Sequence, residues 1–136
     1  MRYGIENSVW SEIVDVFQRY PEIDRVVLFG SRAMGNFKFN SDIDLALFSK
    51  DKSFRRFLDL NTDLEDLGLL YRIDLIDFNR ITNEELKSHI ERVGQIIFNS
   101  SVPGNKKRPS KFYLKAFLNL KSNYLIDLIN RSFNAI

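Results

Sequence analysis

Two aspartates one residue apart, Asp42 and Asp44, follow a Gly30-Ser31 pair after ten intervening residues. Both pairs are set in apolar sequence: Val26 to Phe29 leads into Gly30, and Ile43, Leu45, Ala46 and Leu47 accompany the acids. Strand side chains alternate between faces, so Asp42 and Asp44 share one face while Ile43, Leu45 and Leu47 take the other. Carboxylates that close together repel unless a cation lies between them. Hard divalent ions such as Mg²⁺ take oxygen ligands, commonly one or two carboxylates plus substrate phosphates. Gly30 lets the backbone come close to a phosphate, and Ser31 adds a hydroxyl and N–H groups at the start of a short helical piece. One segment therefore holds both halves of a metal and nucleotide site.

A third carboxylate is available from Leu70 to Phe78, L-Y-R-I-D-L-I-D-F, whose aromatic and branched residues read as a strand. Asp74 and Asp77 are three apart and fall on opposite faces, so only one can join the Asp42–Asp44 face. Arg32 and Lys38 are the basic side chains near the Gly-Ser turn that a triphosphate could use. Arg32, fixed beside the turn, is the better placed; Lys38 lies on a loop, where a charge is usually only solvated.

The combined spacing, Gly-Ser-x10-Asp-x-Asp, resembles the signature of the DNA polymerase β-like nucleotidyltransferase superfamily, and G-S-R-A-x-G from Gly30 to Gly35 resembles its minimal nucleotidyltransferase (MNT) branch. The resemblance spans about residues 8 to 98. It implies an α+β fold: a two-layer core with a small mixed sheet and helices on one face. It also implies Asp74 as the third acid, leaving Asp77 a structural cap or loop partner. On that pattern Asp42, Asp44 and Asp74 surround two Mg²⁺ ions, Asp74 also taking the proton of an attacking hydroxyl. Gly30 and Ser31 hold the β- and γ-phosphates of ATP, and Arg32 offsets charge on the departing pyrophosphate. Without metal, the three acids should destabilise their corner.

Minimal members of this kind are antitoxins that silence all-helical HEPN-type ribonuclease toxins by transferring AMP to a toxin tyrosine. The resemblance therefore implies protein adenylylation. Two other readings stay open: transfer to a small-molecule hydroxyl, as in similar antibiotic-modifying enzymes, and an antitoxin that acts by binding alone. A small-molecule enzyme would be expected to carry a further substrate domain, for which a tail of about 30 residues leaves little room.

The elements that must position these residues follow from periodicity. A helix is expected over 9–20 with Ser8 as its cap, presenting Val9, Ile13, Val16, Phe17 and Tyr20 on one side. Trp10 and Phe17 read as core rather than as a base-stacking pair. A buried strand covers 25–29, a mobile loop 31–41, a strand 42–48, and a helix 53–67 that Gly68 ends. After the third strand, Thr82 and Glu85 form a capping box for a helix to Val93, where a solitary His89 does not read as a metal ligand. A last strand occupies 95–98. Residues 99–110, with Pro103, Gly104, Pro109 and the basic Lys106 to Arg108 run, read as a linker. Residues 111–136 read as a helix apolar on more than one face, packed on its own domain or docked on a second chain, another copy included. Family members of the minimal kind are expected to end near Phe98, so this tail departs from their pattern.

The chain of 136 residues suits one nucleotidyltransferase domain, 1–98, plus that tail. It has no cysteine, which excludes disulfides, thiolate metal sites and cysteine nucleophiles. Residues 1–98 carry 13 Lys and Arg against 17 Asp and Glu, whereas 99–136 carry 7 against one. An acidic body with a basic tail argues against stable nucleic-acid binding. The start is amphipathic and no run is long enough to span a membrane, so a soluble cytoplasmic protein is expected.

Overall fold

Strand β1 (Ile23–Phe29) is apolar on both sides, and that decides the architecture of the computed structural model, which describes residues 1–100. Val26 and Leu28 face one way, Val27 and Phe29 the other, and all four are buried. A strand of this kind must lie inside a sheet with cover on each face. The sheet order is β3-β2-β1-β4, with β2 (Ile43–Ser49) and β4 (Gln95–Asn99) antiparallel to β1 and β3 (Ile73–Asp77) parallel to β2.

One face is covered by α1 (Asn7–Gln18) and α3 (Phe54–Glu65), which bury Trp10, Ile13, Phe17, Leu60 and Leu64 against Val26, Leu28, Ile43, Leu45 and Leu47. Trp10 and Phe17 are core residues, as their spacing predicts. The other face carries α4 (Glu84–Val93), whose Ile90 packs with Val27, Phe29, Ala46, Phe48 and Ile96. The α+β class with a small mixed sheet is thus as expected, but the helices cover both faces rather than one. The reason is the second apolar face of β1 and β2.

Local signals set most boundaries. Ser53 caps α3 by accepting from the Arg56 amide, while Tyr20 donates its hydroxyl to Asp63 and Arg56 pairs with Glu22 at 2.7 Å to tie α3 to the connection between α1 and β1. Two caps differ from expectation. Helix α1 starts at Asn7 with Glu6 in the cap position and no side-chain cap, so Ser8 lies inside the first turn. Helix α4 is capped by Asn83, whose carboxamide oxygen accepts from Leu86, one residue after the predicted Thr82; Asn is as good a cap as Thr and three residues ahead of a free amide. Strand β3 is shorter than the predicted 70–78, because parallel pairing with β2 starts only at Ile73.

No helix among the described residues is long and apolar enough to cross a membrane. The helix expected over 111–136, and nearly all of the linker before it, lie outside the described residues.

Gly94, between α4 and β4, is set by space. A Cβ there would stand 2.3 Å from the Ile90 carbonyl oxygen and 2.4 Å from a Val27 methyl. Gly94→Ala is expected to cost roughly 1–3 kcal/mol through overpacking against backbone that cannot move aside, read as a lower midpoint in urea unfolding with an unchanged slope.

Candidate active site

The site forms where β1 ends and β2 and β3 begin. Antiparallel register sets Phe29 opposite Asp44, so Gly30, the next residue, reaches the Asp44 side chain. Gly30 adopts φ +74°, and a Cβ on it would stand 2.3 Å from a carboxylate oxygen of Asp44. Both the left-handed backbone and the contact require glycine. Gly30 opens α2 (Gly30–Met34), which carries Ser31 in its first turn and ends at Gly35 in a left-handed cap.

The parallel register of β2 and β3 puts Asp74 directly opposite Asp44. Directly paired residues share a face of the sheet, so the two carboxylates stand side by side about one strand spacing apart, roughly 5 Å. Asp42, just before β2, is exposed, Asp44 is half-buried and Asp74 is exposed. Burial pushes the Asp44 carboxyl above the ordinary aspartate range, and the charges of Asp74 and then Asp42 push it further, with Arg32 pulling the other way. The predicted trio of acids is therefore brought to one place. Asp77 goes to the opposite side of β3, where it is buried, accepts from the Asn79 amide at 3.0 Å and pairs with Arg80 at 3.4 Å. It caps the short 3-10 turn Phe78–Arg80, a structural task.

An all-oxygen set at the ends of adjacent strands suits a hard divalent ion, and a carboxylate held half-buried against two like charges suits a cation between them. Among the described residues no three Asp, Glu, His or Cys side chains are yet assembled as a metal cage. His89 takes no part in such a group; its ring stands edge-on to Phe29.

Arg32 corrects the sequence reading. Its side chain is 1% exposed, and its guanidinium donates to three backbone carbonyls inside the protein. Nε and Nη2 reach the Ser41 carbonyl at 3.1 and 2.8 Å, Nη2 also reaches that of Phe39 at 3.3 Å, and Nη1 that of Tyr3 at 3.0 Å. The rings of Phe37 and Tyr71 flank it at 5.1 and 5.3 Å. The segment expected as a mobile loop is consequently a built turn: Ser41 donates its amide to the Lys38 carbonyl, and its hydroxyl accepts from the Lys38 amide. Lys38 itself is exposed. Tyr3, Phe37 and Tyr71 were not legible as partners of this region, although two aromatics close to a lone arginine were a signal available in the sequence.

A groove of about 420 Å³ runs between the end of α3 and β3, with Asn61, Glu65, Tyr71, Arg72 and Asp74 in its lining.

The family model described as polymerase beta, nucleotidyltransferase matches residues 11–102. The chain belongs to this family. The match contains every acid of the site together with the Gly30-Ser31 turn. Among solved structures, a toxin–antitoxin crystal structure with AMP-PNP superposes with a TM-score of 0.56 at 17% identity, covering 93% of this chain and 85% of that one. The MntA-HepT toxin–antitoxin gives 0.54 at 16% identity over 96% and 94% of the two chains. The complex of a tri-AMPylated Shewanella oneidensis HEPN toxin with its MNT antitoxin gives 0.51 at 18% identity over 71% and 74%. At these identities the likeness establishes the fold alone. No curated protein matches the chain significantly.

The raised carboxyl of Asp44 makes the ionised form unfavourable in the folded state. Its stabilising contribution is complete below the unfolded-state pKa and is lost as pH rises through the folded one. At neutral pH the metal-free chain therefore carries a penalty that a neutral isostere removes. Asp44→Asn is expected to raise the thermal midpoint of the metal-free protein by a few degrees at pH 7, the gain shrinking as the pH falls into the carboxylate range. A midpoint at or below that of the wild type would show that the three charges do not act on one another as their placement requires.

Proposed function

We propose that this protein transfers AMP from ATP to a tyrosine hydroxyl of a partner protein, and that the partner is a HEPN-type ribonuclease toxin which the transfer silences. The observation that carries the reading is the pairing of Asp44 with Asp74 beside Gly30, three acids and a close-approach turn within a nucleotidyltransferase fold. Two of the structural relatives support its finer part. One was crystallised with AMP-PNP, and another is an antitoxin bound to a tri-AMPylated HEPN toxin.

Asp42 and Asp44, with Asp74, would hold two Mg²⁺ ions, which when bound supply charge neutralisation at the phosphates and lower the acidity barrier of the attacking hydroxyl. The remaining work falls to the chain itself. Gly30 brings its backbone, and Ser31 its hydroxyl, to the β- and γ-phosphates. Asp74, at the end of the α3–β3 groove, accepts the proton as the acceptor oxygen bonds to the α-phosphorus and the bond to pyrophosphate breaks. The groove leaves room for a protein segment that brings the hydroxyl with it. Burial and two neighbouring like charges keep the ionised form of Asp44 costly until counter-charge arrives, as at many sites with catalytic carboxylates.

The test is intact-mass analysis of the chain incubated with its genomic neighbour's product, ATP and Mg²⁺. The wild type is expected to add AMP-sized increments to the partner, and the Asp42→Asn/Asp44→Asn variant none. Asp74→Asn is expected to slow the transfer roughly 10²–10⁴-fold, the usual worth of a positioned general base. A partner that stays unmodified yet binds the wild type and the double variant alike would replace this reading with inhibition by contact.

A further inference from the structure

Arg32 is the residue whose placement the chemistry above does not use. Taking a guanidinium out of water costs several kcal/mol unless its donors are well met, and among the described residues no carboxylate forms an ion pair with it. Four hydrogen bonds to three carbonyls and two flanking rings meet that cost instead. The carbonyls belong to two chain segments far apart in sequence. Ser41 directly precedes Asp42, Phe39 lies in the turn before it, and Tyr3 belongs to the N-terminal reverse turn closed by paired Arg2 and Ile5. Tyr71 stands three residues ahead of Asp74, and the Arg72 carbonyl beside it accepts from the Ile43 amide at 2.9 Å.

The geometry points to Arg32 as the positioning residue of the transfer site: its guanidinium fixes the 37–41 turn, and through it the leading end of the Asp42–Asp44 pair, against the Gly30–Ser31 turn. This rests on the assignment of those residues to nucleotidyl transfer. Arg32 is one residue beyond Ser31 and its Nε and Nη2 both grip Ser41, so one side chain joins the phosphate side of the site to the carboxylate side. Tyr3 shows how closely the arrangement is held. It is the only non-glycine residue with positive φ among the described residues, at 56°, and its carbonyl is one that Arg32 binds. Gly4 beside it leaves no room for a side chain, since a Cβ would stand 2.3 Å from the Phe37 ring. Lysine cannot replace this arginine, because a single ammonium lacks the planar fork that serves divergent carbonyls.

The experiment compares the full chain with Arg32→Lys, which keeps the charge, and Phe37→Leu, which keeps the arginine and removes one flanking ring. Amide hydrogen exchange is read first. Arg32→Lys is expected to lower protection at Ser41 about tenfold or more, with Val26 to Leu28 of the central strand unchanged, the signature of local rather than global opening. Phe37→Leu is expected to shift Ser41 in the same direction by less. If Arg32→Lys opens the central strand as well, the Phe37→Leu result decides. In the transfer assay, Arg32→Lys is expected to lose about 10²-fold in kcat, as a small misplacement of reacting groups does, with KM for the nucleotide within about threefold of the wild type. Unchanged protection at Ser41 in both variants overturns the proposal. So does a loss confined to KM, which would make Arg32 a phosphate counter-charge. Exchange is read without turnover, so lost protection in a chain that transfers no nucleotide would refute the transfer reading and leave the clamp standing.

Discussion

The parallel pairing of β2 with β3 sets Asp44 against Asp74 at the margin of an apolar sheet, and the repulsion between them is the constraint that the surrounding structure answers. Like charges one strand apart are tolerable only where the backbone leaves them no choice. Here the register is fixed by Leu45 and Leu75, both buried on the α1–α3 face. A slip of one residue would turn those leucines outward and move the acids into the core. The burial of apolar side chains on one face therefore fixes the electrostatic strain on the other, and the acids cannot relax apart without cost to the core.

The division between a settled interior and a tense margin runs through the whole molecule. Val26, Leu28, Ile43 and Leu45 are fully buried in the middle of the sheet, held by ladder bonds and covered on both faces. Among the described residues, four of the five positive-φ positions lie within reach of the site: Tyr3, Gly4, Gly30 and Gly35. Residues in sparsely populated backbone regions persist where the surroundings over-determine them, and such positions gather at functional sites. At this margin the over-determination comes from side chains: Asp44 against Gly30, Phe37 against Gly4, and Arg32 on the Tyr3 carbonyl.

Much of this was legible in the sequence, and the parts that were not share a cause. The Gly30-Ser31 and Asp42-Asp44 pairs, the strands that carry them, the core roles of Trp10 and Phe17 and the helix over 53–67 all depend on neighbours close in sequence, where periodicity speaks directly. The third acid was half legible. Alternation left Asp74 and Asp77 on opposite faces but could not say which faced Asp44, because the β2–β3 register is a long-range fact; family resemblance pointed to Asp74. The second covered face was present in the uninterrupted apolar run of β1, but an α-helix and a further strand are equally able to cover such a run. Arg32 was misread because a basic residue beside a phosphate-binding turn suggests a phosphate ligand, and nothing local shows that Tyr3 and Tyr71 come to surround it.

That misreading is informative about the site itself. Local rules predict a structure well where each level of organisation agrees with the next, and they fail where one level is overridden for another's sake. Among the described residues, the buried Arg32 held by backbone carbonyls, a tyrosine with positive φ and a half-buried aspartate with a raised pKa are three such overrides. All three fall on the chain segments that meet at the ends of β1, β2 and β3. They gather where the acids must be held against their own repulsion, and a rigid backbone lets that repulsion stand rather than be relieved by movement.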